Sequence, residues 1–242
     1  MSDEVNETEE ETTATIAVIG AMDEEVRQLG EWLSGTQQFS EAGLPVTVGM
    51  AQTNRGNTVK IVATVAGMGT VAAGAATQYL ITRFSPDAVI FSGIAGNVSG
   101  ELDINDVVLG GVLRYLDTDM RLVGQAAPGL TEYRSDPALI RIAEQALDEQ
   151  GTNYKVGVIA SGNHFVDSDE LRNKVREETQ ADAVEMEGAA VGHIATKNGL
   201  PFLVIRALSD NTNTKYESFR HFDISTYAET ASSLVEAIIR RM

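Results

Sequence analysis

Residues 181–210 read ADAVEMEGAAVGHIATKNGLPFLVIRALSD, and the order of patterns in them sets the fold class. ADAVE at 181–185 is a short, largely apolar run with the character of a strand. MEGAAVGHIATKNG is a helix of small residues that Gly199 stops. PFLVIRALSD at 201–210 opens on a proline and continues as a buried strand. Strand, helix and strand in about thirty residues is the building unit of an α/β sheet.

The alternation continues in both directions. Upstream, TIAVIG at 15–20 reads as a buried strand and MDEEVRQLGEWL as a helix with Val26 and Leu29 on one face. Residues 46–65 read as two strands joined at Asn54-Arg55-Gly56-Asn57, a turn-forming quartet. Gly67-Met68-Gly69 then leads into an Ala-rich helix from Thr70 to about Arg83. AVIF at 88–91 reads as a strand followed by a loop, SGIAGN, and DVVLGGVL at 106–113 as another strand. A polar passage from Leu116 to Ser135 is too long for an idle connection. Asp136-Pro137 caps a helix to about Asp148, KVGVIASG at 155–162 is a strand, and 168–178 a helix. In the terminal helix at 224–241, Ala231, Leu234, Val235, Ile238 and Ile239 follow the spacing of a core face. The expected architecture is one α/β domain at 15–242, with a mixed, largely parallel central sheet flanked by helices. Residues 1–14 are expected to form a disordered acidic tail.

Composition narrows the function. A formal charge of −17 opposes a nucleic-acid grip, which needs clustered Lys and Arg. The absence of cysteine removes disulfides, thiolate metal sites and a cysteine nucleophile. No run approaches the roughly 18 apolar residues of a membrane helix, and the acidic N-terminus lacks the pattern of a signal peptide. A cytoplasmic protein is expected.

Ligands in α/β sheets collect beyond the carboxyl ends of the strands. Those ends read Gly20-Ala21-Met22-Asp23-Glu24-Glu25, Gly67-Met68-Gly69, SGIAGN, SGNHFV, Glu185-Met186-Glu187 and Ser209-Asp210. Gly67-Met68-Gly69 imitates a dinucleotide fingerprint, but the next strand ends in Phe91-Ser92 rather than in the acid that would hold a ribose hydroxyl. Arg206, inside an apolar strand, must be paired: either a structural ion pair or an anchor in the site satisfies that. Glu185 and Glu187 are two apart and are expected to face apart, so that one of them addresses a ligand. On composition alone, Asp210 reads slightly better as a helix-cap or turn residue than as a site acid. His164, His193 and His221 have no metal-ligand spacing.

These strand-end motifs resemble those of the methylthioadenosine/S-adenosylhomocysteine nucleosidases, within the purine nucleoside phosphorylase-like family. IGAMDEEV at 19–26, AVEMEG at 183–188 and RALSD at 206–210 carry the resemblance. AGMGTVAA at 66–73, SGIAGNV at 92–98, LDTDM at 116–120 and SGNHFV at 161–166 support it. The resemblance implies hydrolysis of an N-glycosidic bond without metal or cofactor. Glu25 would activate water, Asp210 protonate the purine, and Glu187 hold the ribose hydroxyls with Met186 beneath the sugar and Glu185 alongside. Phe165 would stack on adenine and the Val166 backbone read its edge. Met22, Met68 and Phe222 would surround the sugar or its 5′ substituent, with Phe219 as the alternative to Phe222. Ala95 and Gly96 would lie against the substrate, and Arg206 and Ser209 would support the water and Asp210. The resemblance also implies a homodimer in which a neighbour's LDTDM region closes the 5′ end. Phosphorylases of the wider family carry a phosphate loop after the first strand, where this chain has three consecutive acids. Asn163, His164 and Ile94 depart from the family pattern. A sister activity on aminodeoxyfutalosine, a phosphorylase, and a silent nucleoside-binding module are the other expectations.

Overall fold

Val, Ile and Thr dominate residues 15–20 and 59–65, and these β-branched runs pair in parallel as β1 (Thr12–Gly20) and β4 (Thr58–Val65), with Ile16 opposite Ile61. The computed structural model describes residues 12–26, 29–210 and 225–242. β5 (Ala88–Asn97) lies on the other side of β1, again parallel, and β9 (Phe202–Asp210) is parallel to β5. The hairpin β2 (Ser34–Glu41) and β3 (Leu44–Gln52) extends the sheet beyond β4. β6 (Val107–Tyr115), β7 (Tyr154–Ser161) and β8 (Ala183–Glu185) complete it. The order is β2-β3-β4-β1-β5-β8-β7-β6-β9, and the further pairing of β9 with β5 closes the last five strands into a ring. The sheet is mixed, parallel at its centre, and antiparallel at β2–β3, β3–β4, β5–β8 and β6–β9.

Helices cover both faces, which is why the central strands are continuously apolar rather than alternating. In β1, Ala17 and Ile19 pack in a cluster with Ala73, Ala76 and Leu80 of α3 (Thr70–Phe84) and with Ala189 and Ala195 of α7 (Gly188–Lys197). Ile16 and Val18 face the opposite cluster, with Leu139 and Leu147 of α5 (Pro137–Gln150) and Leu234, Val235 and Ile238 of α8 (Ser225–Arg241). The expected α8 stripe is fully buried, each large aliphatic contributing about 1.5–3 kcal/mol through burial. Asp136 caps α5 as its position before Pro137 predicts, accepting from Ala138 N at 2.7 Å and Leu139 N at 3.0 Å. Ala73 and Ala76 of α3 pack within the chain, whereas Ala75 is exposed and Val71 is 84% exposed. The remaining helical segments are α1 (Asp23–Val26), α2 (Leu29–Trp32), α4 (Met120–Val123) and α6 (Asp169–Thr179). No described helix is long and apolar enough to cross a membrane.

Three expectations change. β2 is an unanticipated strand: SGTQQFSE is exposed along almost its whole length, so no apolar alternation marks it, and only its pairing with β3 makes it a strand. SGIAGN is not a loop but the second half of β5, paired along its length with β9. Its small residues hid the strand. β1 begins at Thr12, inside the stretch expected as tail; residues 1–11 lie outside the described ones.

Candidate active site

Glu25 sits on α1, directly after the turn that ends β1, and its side chain folds back over that turn. One carboxyl oxygen accepts from Ala21 N at 2.6 Å and Met22 N at 3.0 Å; the other accepts from Ile94 N at 3.1 Å. The approach to β5 requires glycine, because a Cβ on Gly93 would collide with the Glu25 carboxyl. Burial raises the pKa of Glu25, against the opposing pull of Arg206 and of the three backbone N–H groups. Of the three consecutive acids, Asp23 is exposed, Glu24 half-buried, and Glu25 alone turns inward.

Glu185 and Glu187 lie on either side of the junction between β8 and α7. The chain leaves its extended path there, so both line the same cavity, contrary to the expectation that they face apart. Their partners separate them. Glu185 accepts from Arg206 Nη2 at 2.6 Å and Nε at 3.2 Å, from Gly188 N at 2.8 Å, and from the Ser161 hydroxyl. Its oxygens are committed to the protein. Glu187 accepts from Gly69 N at 2.6 Å across the cavity. Burial, with the charges of Glu185 and Glu25 behind it, pushes the pKa of Glu187 up to about 7, although Arg206 and the Gly69 amide pull downward.

Arg206 resolves toward the structural ion pair. Its side chain is 1% exposed, lies 4.0 Å from the centre of the Phe91 ring, and donates from Nη1 to Ile205 O. It does not line the cavity; it lies beneath, paired with Glu185, which does. At the end of β9, the Ser209 hydroxyl lies 3.3 Å from both Ala95 O and Asp210 Oδ2. Asp210 is buried with its carboxyl at the cavity wall, which removes the simple surface-turn reading.

The cavity these groups enclose has a volume of about 340 Å³. Glu25, Glu185, Glu187, Asp210, Ser209, Met22, Met68, Met186, Ala95, Gly96, Phe165 and Val166 all line it. Ala21, Ile94, Asn163, His164 and Val184 line it as well. All five sit inside quoted motifs, Asn163 and His164 in SGNHFV, Ile94 in SGIAGN, Ala21 in IGAMDEEV and Val184 in AVEMEG, but none had been given a role at the site. Phe222, Phe219 and His221 fall outside the described residues. Among the described residues the wall has four carboxyl side chains and no lysine or arginine. Such a wall favours developing positive charge and disfavours a phosphate dianion. No described cluster of His, Asp and Glu has the arrangement of a metal site.

Comparison with known proteins agrees with this geometry. Residues 15–240 match the model of the phosphorylase superfamily. The chain is 34% identical over 232 residues to the 5′-methylthioadenosine/S-adenosylhomocysteine nucleosidase of Staphylococcus epidermidis, covering 92% of this chain and all of that one. It superposes with a TM-score of 0.86 and 31% identity on the crystal structure of the Neisseria meningitidis nucleosidase of the same name in complex with methylthio-immucillin-A, over 95% of this chain and all of that one. The futalosine hydrolase of Helicobacter pylori is also similar, with a TM-score of 0.84 and 28% identity over 95% of this chain and 98% of that one. The chain therefore belongs to the phosphorylase superfamily and, within it, to the 5′-methylthioadenosine/S-adenosylhomocysteine nucleosidases, hydrolases of N-glycosidic bonds.

Proposed function

We propose that this enzyme hydrolyses 5′-methylthioadenosine or S-adenosylhomocysteine to adenine and the 5′-thio-substituted ribose. One observation carries the reading: Glu25, Glu187 and Asp210 approach a single 340 Å³ cavity from three different strand ends, with no lysine or arginine on its described wall. Cleaving the C–N bond develops positive charge on the sugar and negative charge on the departing base. Asp210 protonates the purine at N7, a contribution of about 10²–10⁴ in rate. Glu25, fixed by three backbone N–H groups, takes the proton of the attacking water, the two carboxyls dividing the work as in an inverting glycosidase. Glu187 accepts the ribose hydroxyls, Met186 packs beneath the sugar, and Phe165 stacks on adenine while the Val166 backbone meets its edge. Met22 and Met68 receive the 5′ group. Ser209 orients Asp210. Arg206 acts from below, fixing the Glu185 side chain in place through their buried ion pair.

The same reading includes a cytoplasmic homodimer that needs no metal or organic cofactor. The dimer is supported by exposed apolar side chains: Met68 on the cavity wall and Leu122, two residues after LDTDM, are each 68% exposed. The similarity to a futalosine hydrolase keeps an aminodeoxyfutalosine-type nucleoside as the second substrate reading. The test is a panel of the three nucleosides assayed for free base. The proposal predicts the highest kcat/KM on one of the two thio-substituted adenosines; preference for the futalosine-type nucleoside transfers the assignment to the second reading.

A further inference from the structure

Helix α3 begins without a side-chain cap of its own. Its N-cap is Gly69, at φ 96°, which has nothing to offer the first-turn N–H groups. Two side chains from elsewhere fill that role. Glu187 takes Gly69 N, and Asn163, in the loop after β7, takes Thr70 with its side-chain carbonyl: Oδ1 lies 3.3 Å from Thr70 N and 3.2 Å from the Thr70 hydroxyl. Asn163 is itself held, because its own N–H donates to Asp117 at 2.8 Å. The fit is close, since a Cβ on Gly69 would come within 3.3 Å of Asn163 Oδ1. A chain of hydrogen bonds thus crosses the cavity mouth, from Asp117 through Asn163 and Thr70 to Gly69 and Glu187.

We propose that Asn163 is a positioning residue for the ribose-binding carboxylate: by capping α3 across the cavity mouth it keeps the Gly69 N–H on Glu187. The inference rests on the nucleosidase reading given above. Thr70 is the residue next to Gly69, so the peptide that Asn163 fixes is the one whose neighbour touches Glu187. Glu187 otherwise faces Glu25 of α1, Glu185 of β8, Arg206 of β9 and Asp210 at the β9 end. Among these the Gly69 N–H acts with Arg206 in favouring the ionised form. Releasing the Gly67–Thr70 turn therefore weakens ribose binding and moves the ionisation of Glu187 upward. Asn163 touches the rim and Thr70 but transfers no proton, so the effect falls on KM more than on kcat.

The experiment measures kcat and KM for adenine release from methylthioadenosine between pH 5 and 9 (a range spanning about 7) in the wild-type protein, Asn163→Ala, Asn163→Asp and Thr70→Val. Expected are a rise in KM of about three- to tenfold in Asn163→Ala and an acid limb of kcat/KM displaced to higher pH, as loss of one hydrogen bond to a charged network implies. Asn163→Asp, which keeps an acceptor for Thr70, restores KM, and Thr70→Val shows a smaller rise in the same direction. Wild-type KM and an unmoved acid limb in Asn163→Ala overturn the inference, as does a loss confined to melting temperature. Absence of turnover in the wild-type protein overturns the nucleosidase reading instead.

Discussion

Arg206 directs two N–H groups at a single oxygen of Glu185, Nη2 at 2.6 Å and Nε at 3.2 Å, beneath the carboxylates that line the cavity. The pair is almost fully buried, with side-chain exposures of 1% and 3%. Removing one partner leaves an uncompensated charge inside the protein, whereas removing both leaves a nearly neutral hole. Arg206→Met is expected to lower stability by about 3–5 kcal/mol in urea unfolding. The double variant with Glu185→Gln is expected to recover much of that loss. Equal losses in the single and double variants would contradict the assignment of the pair.

The raised pKa of Glu187 makes the empty enzyme sensitive to pH. Its folded value of about 7 lies above the ordinary value of 4.5, so between those pH values the folded state holds a proton that the unfolded state has lost. This group's contribution to stability is therefore present below pH 4.5 and declines as pH rises to about 7. In melts of the ligand-free protein, Glu187→Gln is expected to show a shallower fall in melting temperature from pH 5 to 8 (either side of the 4.5–7 window) than the wild type. Parallel curves would show that Glu187 is not the group responsible.

Gly93 tests the placement of Glu25. Alanine there would drive its Cβ into the Glu25 carboxyl and to 3.2 Å from Arg206 Nη1. The carboxyl has to leave its three backbone donors, and misplacement of a reacting group by about 1 Å costs about 10²-fold. Gly93→Ala is expected to lose kcat on that scale while retaining the far-ultraviolet circular dichroism of the native sheet. Near wild-type kcat would remove Glu25 from the role of base.

Asp210→Asn replaces the acid at the base with an amide of the same shape. The expected result is a folded protein whose kcat is lower by about 10²–10⁴ and whose KM is little changed. Turnover close to wild type would transfer the proton donor to another group.

The order of strands and helices was legible because buried runs such as TIAVIG, VKIVATV and PFLVIRALSD have one composition wherever helices cover both faces. β2 was not, since an exposed edge strand carries no apolar period. The second half of β5 was hidden for the opposite reason: SGIAGN is small because a carboxylate packs against it, and small residues read as loop. At the site, each acid alone had an ordinary structural explanation, and only the motifs in series singled out Glu25, Glu187 and Asp210. Composition and spacing alone could not separate Glu185 from Glu187, because the distinction lies in partners brought from distant segments: Arg206 and Ser161 for one, Gly69 for the other. The capping of α3 by Asn163 spans 93 residues and leaves no local pattern.

The central claim is that a water molecule, not phosphate, attacks the sugar. Its most direct test is the rate and product of methylthioadenosine cleavage in phosphate-free buffer and in buffer with added phosphate. The four-carboxylate wall predicts equal rates of adenine release and free methylthioribose in both. A rate that depends on phosphate, with the sugar 1-phosphate as product, would contradict it.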